Sequence, residues 1–302
     1  MSSTNHAILE AQSEFGLNLL REVSAANSKA SVVLSPMSVG DALSIAYAGA
    51  LDETEEELSQ LLAKGEPKEQ VHKYFGALMS KIYTENKSYT LETANRIYVQ
   101  AGFSILDSYK QLLNAHYRGQ FESVDFSRNV KTANLINDFV SKATHEEIHD
   151  LIEPGSLGEL TRLLLINAVY FKGTWQNKFD PYATVNETFY VSEGIEKQVN
   201  TMHKTMELPY HETDSYQVLG LPYEGQDVFM YVVLPYERYG LDTLLKNLTG
   251  KDLLEIVQKR AETEVVVSLP KFKIESTHSL TQILKELGLS KSEWCSQFWR
   301  NF

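Results

Sequence analysis

Residues 163–175 read Leu163-Leu-Leu-Ile-Asn167-Ala-Val-Tyr-Phe171-Lys-Gly-Thr-Trp175. Eight of the first nine side chains are apolar or aromatic, and the ninth, Asn167, stands in the middle. An apolar run of this length without alternation predicts a strand covered on both faces. A buried amide without hydrogen bonds costs about 2 kcal/mol or more. Asn167 therefore calls for partners from elsewhere in the chain.

The 302 residues are 43% hydrophobic and 23% charged, the composition of a soluble globular protein with an ample core. A net charge of −12 disfavours nucleic acid, anionic membrane and heparin as partners. The five lysines between 64 and 90 do not change this. Glu66, Glu69 and Glu85 are interspersed among them, as on a solvated helix face. The single cysteine, Cys295, excludes an internal disulfide and suits a reducing compartment. The N-terminal residues show no basic-then-apolar leader, and no apolar run approaches a membrane span. The expected location is the cytoplasm, with the extracellular space as the alternative. The sequons at Asn86, Asn186 and Asn247 are then chance matches.

Outward from the opening stretch, helices come first and strands later. Ile8, Phe15, Leu19 and Val23 share one helical face. Val32-Val33-Leu34 reads as a short strand stopped by Ser35-Pro36, and an apolar helix follows to Ala50. Thr54-x-x-Glu57 reads as a capping box at an acidic helix start. Residues 91–99 read as a strand, and 106–117 and 129–143 as helices. Strands are expected at 187–191, 216–221, 228–234, 264–269 and 271–275. Helices return at 241–260 and 277–287, the last closed by Gly288. The absence of βα alternation predicts an α+β fold with large antiparallel or mixed sheets.

One catalytic motif matches literally. His145-Glu146-Glu147-Ile148-His149 is H-E-x-x-H, which on a buried helix would hold zinc between two imidazoles with glutamate as base. This stretch is polar all round, and Pro154-Gly155 ends it within about a turn. A zinc hydrolase built on His145, Glu146 and His149 is therefore a remote alternative. Phosphate-binding loops and nucleophile elbows have no match, and nothing else argues for an enzyme, a metal or a cofactor.

The segment order resembles the serpin family. The resemblance is carried by Val33-Leu-Ser-Pro-Met-Ser-Val-Gly-Asp-Ala-Leu-Ser-Ile-Ala-Tyr-Ala-Gly-Ala50 and by Ala94-Asn-Arg-Ile-Tyr-Val-Gln100. It extends through Phe121 to Phe126, Leu163 to Trp175 with Phe179-Asp-Pro181, and Val265 to Ile274. It implies three β-sheets, A, B and C, with about nine helices. It also implies inhibition of serine or cysteine proteases by a conformational trap, in which a cleaved reactive-centre loop inserts into sheet A. Ser35, Ser38 and Asn167 then match the shutter beneath sheet A, and Trp175 the breach at its top. A local reading stands beside this one, with Ser35 or Ser38 capping the helix that Pro36 opens.

After Ser290 the resemblance stops. The domain is expected to cover 1–290, with 291–302 a tail unlike the family. The fifth strand of sheet A, the reactive-centre loop, the first strand of sheet C and the fourth and fifth strands of sheet B are expected to be missing. The reactive P1–P1′ bond would then be absent, and the chain unable to inhibit. Open edges of that kind favour self-association, chaperones, or a binding role in which a strand from another chain fills the gap.

Overall fold

The computed structural model describes residues 3–26, 30–82, 88–117, 121–158, 161–259, 261–274, 276, 278 and 280–289. The tail 291–302 lies outside them, as do the side chains of Ser3, Ile82, residues 93–95, Leu165, Asn167 and Thr281.

The N-terminal part is helical: α1 (Ser3–Ala26), α2 (Pro36–Gly49), α3 (Asp52–Ala63) and α4 (Lys68–Ile82). The expected apolar stripe of α1, Ile8, Phe15, Leu19 and Val23, is buried against α2 and α3. Ser35 opens α2: its hydroxyl accepts from the Ser38 N–H at 3.3 Å, and Pro36 takes the first helical turn, where a missing N–H costs nothing. The lysines around α4 are solvated ion-pair partners, Lys64 with Glu10, Lys68 with Glu55 and Lys73 with Glu69.

β1 (Tyr89–Gln100), α5 (Asp107–His116), β2 (Phe121–Val124), α6 (Asn129–Ala143) and β3 (Leu163–Gly173) follow. They build a three-stranded sheet in the order β2-β1-β3, with β2 parallel and β3 antiparallel to β1. Alternation along β1 sends Ile97 and Val99 into the helical core and Tyr98 toward α6. Both faces of this sheet are covered, as the run at 163–171 predicts.

The second half holds β4 (Thr184–Ser192), β5 (Ile195–Glu212), β6 (Tyr216–Pro222), β7 (Phe229–Pro235), α7 (Leu241–Asn247), α8 (Gly250–Gln258), β8 (Glu262–Pro270) and α9 (Leu280–Glu286). The long β5 serves two sheets. Its first part lies between β4 and β8, and its last residues pair with β6, which continues to β7. With the β2-β1-β3 sheet this makes the three sheets of the expected α+β fold, and nine α-helices are present among the described residues.

Four local expectations change. Thr54 is not a cap: α3 begins at Asp52 with Leu51 preceding it, and Thr54 is buried in the first turn. The capping box lies at Thr249 and Asp252, and it splits the expected 241–260 helix into α7 and α8. Residues 32–34 and 271–274 are extended but belong to no ladder. Lys271 N–H continues the pairing with β5 by one bond, to Asn200 O at 2.8 Å, and no strand lies beside 32–34 among the described residues. Instead the Ser276 hydroxyl accepts from Val33 N–H at 3.1 Å and donates to Val33 C=O at 2.7 Å. It also accepts from His278 Nε2 at 2.9 Å. One side chain thus satisfies both backbone groups that a strand would have paired.

Candidate functional site

The site predicted around 163–175 is the outer edge of β3. One side of β3 pairs with β1 along its whole length, from Leu163 opposite Val99 to Gly173 opposite Tyr89. No strand lies on its other side among the described residues. That edge presents a row of backbone donors and acceptors suited to one more strand. Ile166 and Ala168 pack with Ile136 and Val140 of α6, and α2 packs against β3.

Asn167 is the middle residue of this strand, paired in register with Asn95. Its side chain, and with it the expected shutter contact, lies outside the described residues. Ser35 acts through its hydroxyl on its own helix, as the local reading expects. Both Ser35 and Ser38 are half-buried at the start of α2.

Trp175 closes the upper end of the strand. Its ring lies flat on Tyr223, centroids 4.4 Å apart and planes 15° apart, and the two residues form an isolated antiparallel bridge. Gln176 N–H donates to Pro222 O at 3.0 Å, and Glu224 N–H to Thr174 O at 2.8 Å. Phe171 meets the same tyrosine edge-on at 5.0 Å. Tyr223 escapes sequence reading because Pro222-Tyr223-Glu224-Gly225 looks like a plain turn between two strands.

The H-E-x-x-H stretch does not continue as a helix. Helix α6 ends at Ala143, and His145 and Glu146 take left-handed backbone angles, φ 52° and 64°. The two histidines separate: His145 Nε2 reaches Glu92 at 3.2 Å and its ring packs on Tyr170 at 4.6 Å, while His149 Nδ1 faces Ser141 at 3.3 Å. Among the described residues no group of three His, Cys, Asp or Glu could hold a metal ion. Glu92 and Tyr170 are cross-strand partners on β1 and β3, so His145 fastens the end of α6 to the sheet. Arg96 does the same from below: it pairs with Glu122 at 2.7 Å and lies 3.8 Å over the Phe139 ring of α6.

No helix among the described residues is long and apolar enough to cross a membrane. The family model "Serpin (serine protease inhibitor)" matches residues 10–292. Serpin B6 from Pongo abelii is 36% identical over 290 residues, covering 94% of this chain and 77% of that protein. Serpin B6 from Bos taurus is 37% identical over 292 residues, with the same coverage of 94% and 77%. Among solved structures, ovalbumin from emu superposes with a TM-score of 0.87 at 26% identity, over 94% of this chain and 78% of that one.

Proposed function

Because this chain belongs to the serpin family, we propose that its lineage activity is inhibition of serine, or alternatively cysteine, endopeptidases by conformational trapping. We further propose that these 302 residues supply the acceptor sheet of that trap without the reactive-centre loop. The observation that carries this reading is the outer edge of β3. A sheet with both faces covered ends there on eleven residues with no neighbouring strand among those described. In this reading the protein acts by shape change rather than by catalysis. We propose a cytoplasmic location, which the single cysteine among the 302 residues supports.

In this reading Ser35, Ser38 and Asn167 form the shutter beneath sheet A, and Trp175, with Tyr223 beside it, marks the breach where an entering strand would start. Residues 1–290 form the domain and 291–302 a tail outside it. A second reading makes the protein a binding or regulatory chain that takes an extended segment of another protein onto β3. The same open edge favours it.

Titration of the purified chain with a panel of serine and cysteine proteases separates these readings. The 302 residues alone are expected to be cleaved or ignored, with no SDS-stable complex. A covalent complex overturns the claim that the loop is lacking. A stoichiometric protein partner retained through purification, released only by denaturant, supports the second reading.

A further inference from the structure

The hairpin of β4 and the start of β5 is exposed to water along its length, with Arg238 from the segment after β7 lying 3.9 Å over the Tyr190 ring. Every residue of β4 from Val185 to Val191 is exposed, and so are Ile195 to Gln198 of β5. Water therefore reaches both faces of this ribbon, although Val185, Phe189, Tyr190, Val191 and Ile195 are large and apolar. Among the described residues β4 pairs only with β5, so its outer edge is open.

Natural edge strands are blunted by lysine, proline or an inward-pointing charge. Thr184–Ser192 contains no lysine, arginine or proline and one charged residue, Glu187. That carboxylate lies 3.3 Å from His203 Nε2 on β5. The edge of β3 belongs to the site already described, and β7 is mostly half-buried. β8 also has an open outer edge, but it carries Glu262, Glu264 and Pro270 and buries Val267. Among the described residues the β4 edge is thus the one that is long, exposed on both faces and free of the usual protection.

We propose that this edge is the interface of a homodimer, in which a second copy lays its own β4 antiparallel alongside. The sequence of β4 selects both the occupant and the register. A two-fold axis perpendicular to the sheet puts equivalent faces of both ribbons on the same side, so odd positions meet odd and even meet even. Centring on Glu187 sets two carboxylates against each other, which is destabilising. Val191 lies at the irregularity that interrupts β4 between Tyr190 and Ser192, so centring on Phe189 leaves only Thr188 to Tyr190 in regular register. Centring on Thr188 keeps the five residues from Asn186 to Tyr190 regular and pairs Asn186 with Tyr190, Glu187 with Phe189, and Thr188 with itself. A Thr–Thr pair is a favourable cross-strand neighbour, and no like charges meet. Each copy carries a net charge of −12, so the contact forms where the surface charge is lowest.

The register makes the test specific. In a Cys295→Ser background, Thr188→Cys provides the sole thiol, and paired residues at the axis lie within disulfide reach. Mild oxidation at 0.15 M salt is expected to give a covalent dimer at least tenfold faster than Val266→Cys, a control on β8 that is 77% exposed. Sedimentation of the unmodified full chain should show a monomer–dimer equilibrium, weakened about tenfold by Thr188→Lys, which sets two ammonium groups opposite each other. A chain that stays monomeric across the concentration series overturns the proposal. So does equal cross-linking at 188 and 266, or a dimer indifferent to Thr188→Lys.

Discussion

Gly173 and Tyr223 are in contact so close that a side chain at 173 has no room: a Cβ there would stand 2.5 Å from Tyr223 Cδ1. The glycine lets the end of β3 lie against a ring that also stacks on Trp175 and meets Phe171. Gly173→Ala is expected to destabilise by about 2 kcal/mol through overpacking. Tyr223→Ala is expected to cost a similar amount, about 2 kcal/mol, through lost ring contacts. The double variant should cost at least about 1 kcal/mol less than the two together, because the clash disappears with the ring. Urea unfolding of all four proteins reads this directly, and strict additivity would show that the two residues do not act on each other.

His72 gives the chain an acid-labile point. Its ring is 3% exposed, Nδ1 lies 2.6 Å from Tyr117 Oη, and Nε2 has no hydrogen-bond partner. Burial, aided by Lys68 and His116, holds the imidazole down to about 4 from its ordinary 6.5. A folded value below the unfolded one means that the unfolded chain binds the proton first. The contribution is therefore complete above about pH 6.5 and is lost as pH falls toward 4. It amounts to about 3 kcal/mol in all. His72→Gln is expected to lower stability at pH 7 and to flatten its decline between pH 6.5 and 4. An unchanged slope in the variant would rule His72 out as the source.

Ser35 offers a way to separate local from global roles. If its hydroxyl serves chiefly as the cap of α2, Ser35→Ala costs about 1 kcal/mol and Ser35→Asn restores nearly all of it. Failure of the asparagine rescue would point instead to a contact beyond its own helix. Thermal unfolding of the three chains is sufficient.

The His145–His149 stretch is expected to retain no stoichiometric zinc after dialysis against buffer at pH 7.5. The two imidazoles face different partners 3.2 and 3.3 Å away, Glu92 and Ser141. Metal analysis reads the outcome, and one zinc per chain abolished by His149→Ala would reverse the assignment.

What could be read from residues alone was whatever depends on local pattern. The unbroken apolar run at 163–171, the stripe of α1 and the Gly288 closure of α9, with φ at 109°, all formed as their residues predict. The failures share a cause. Val32-Val33-Leu34 has strand residues, but a ladder depends on a neighbour that no local pattern encodes, and a serine hydroxyl from 243 residues away took that place. The residue pattern predicts a capping box at Thr54, and the structure has it at Thr249. Both carry an acidic residue three positions on, and only packing decides which of them starts its helix. At the site, Asn167 and Trp175 stand out by composition. Tyr223, Arg96 and Glu92 act through long-range contacts and look ordinary in sequence.

Arg96 holds α6 to the sheet, and its removal should free that helix without unfolding the rest. The guanidinium lies over Phe139 at 3.8 Å and pairs with Glu122 at 2.7 Å, joining α6 to both β1 and β2. A partly desolvated cation–π contact contributes about 1–2 kcal/mol, and leaving Glu122 unpaired adds to the loss. Arg96→Ala is therefore expected to raise amide exchange in Asn129–Ala143 by about tenfold, while the buried α1 amides keep their rates. Arg96→Lys should fall between, because a compact ammonium keeps the charge but not the planar stacking surface. Equal acceleration in α1 and α6 would mean that the substitution lowers global stability. The arginine would then be a general core support rather than the fastening of one helix over the edge where β3 stands open.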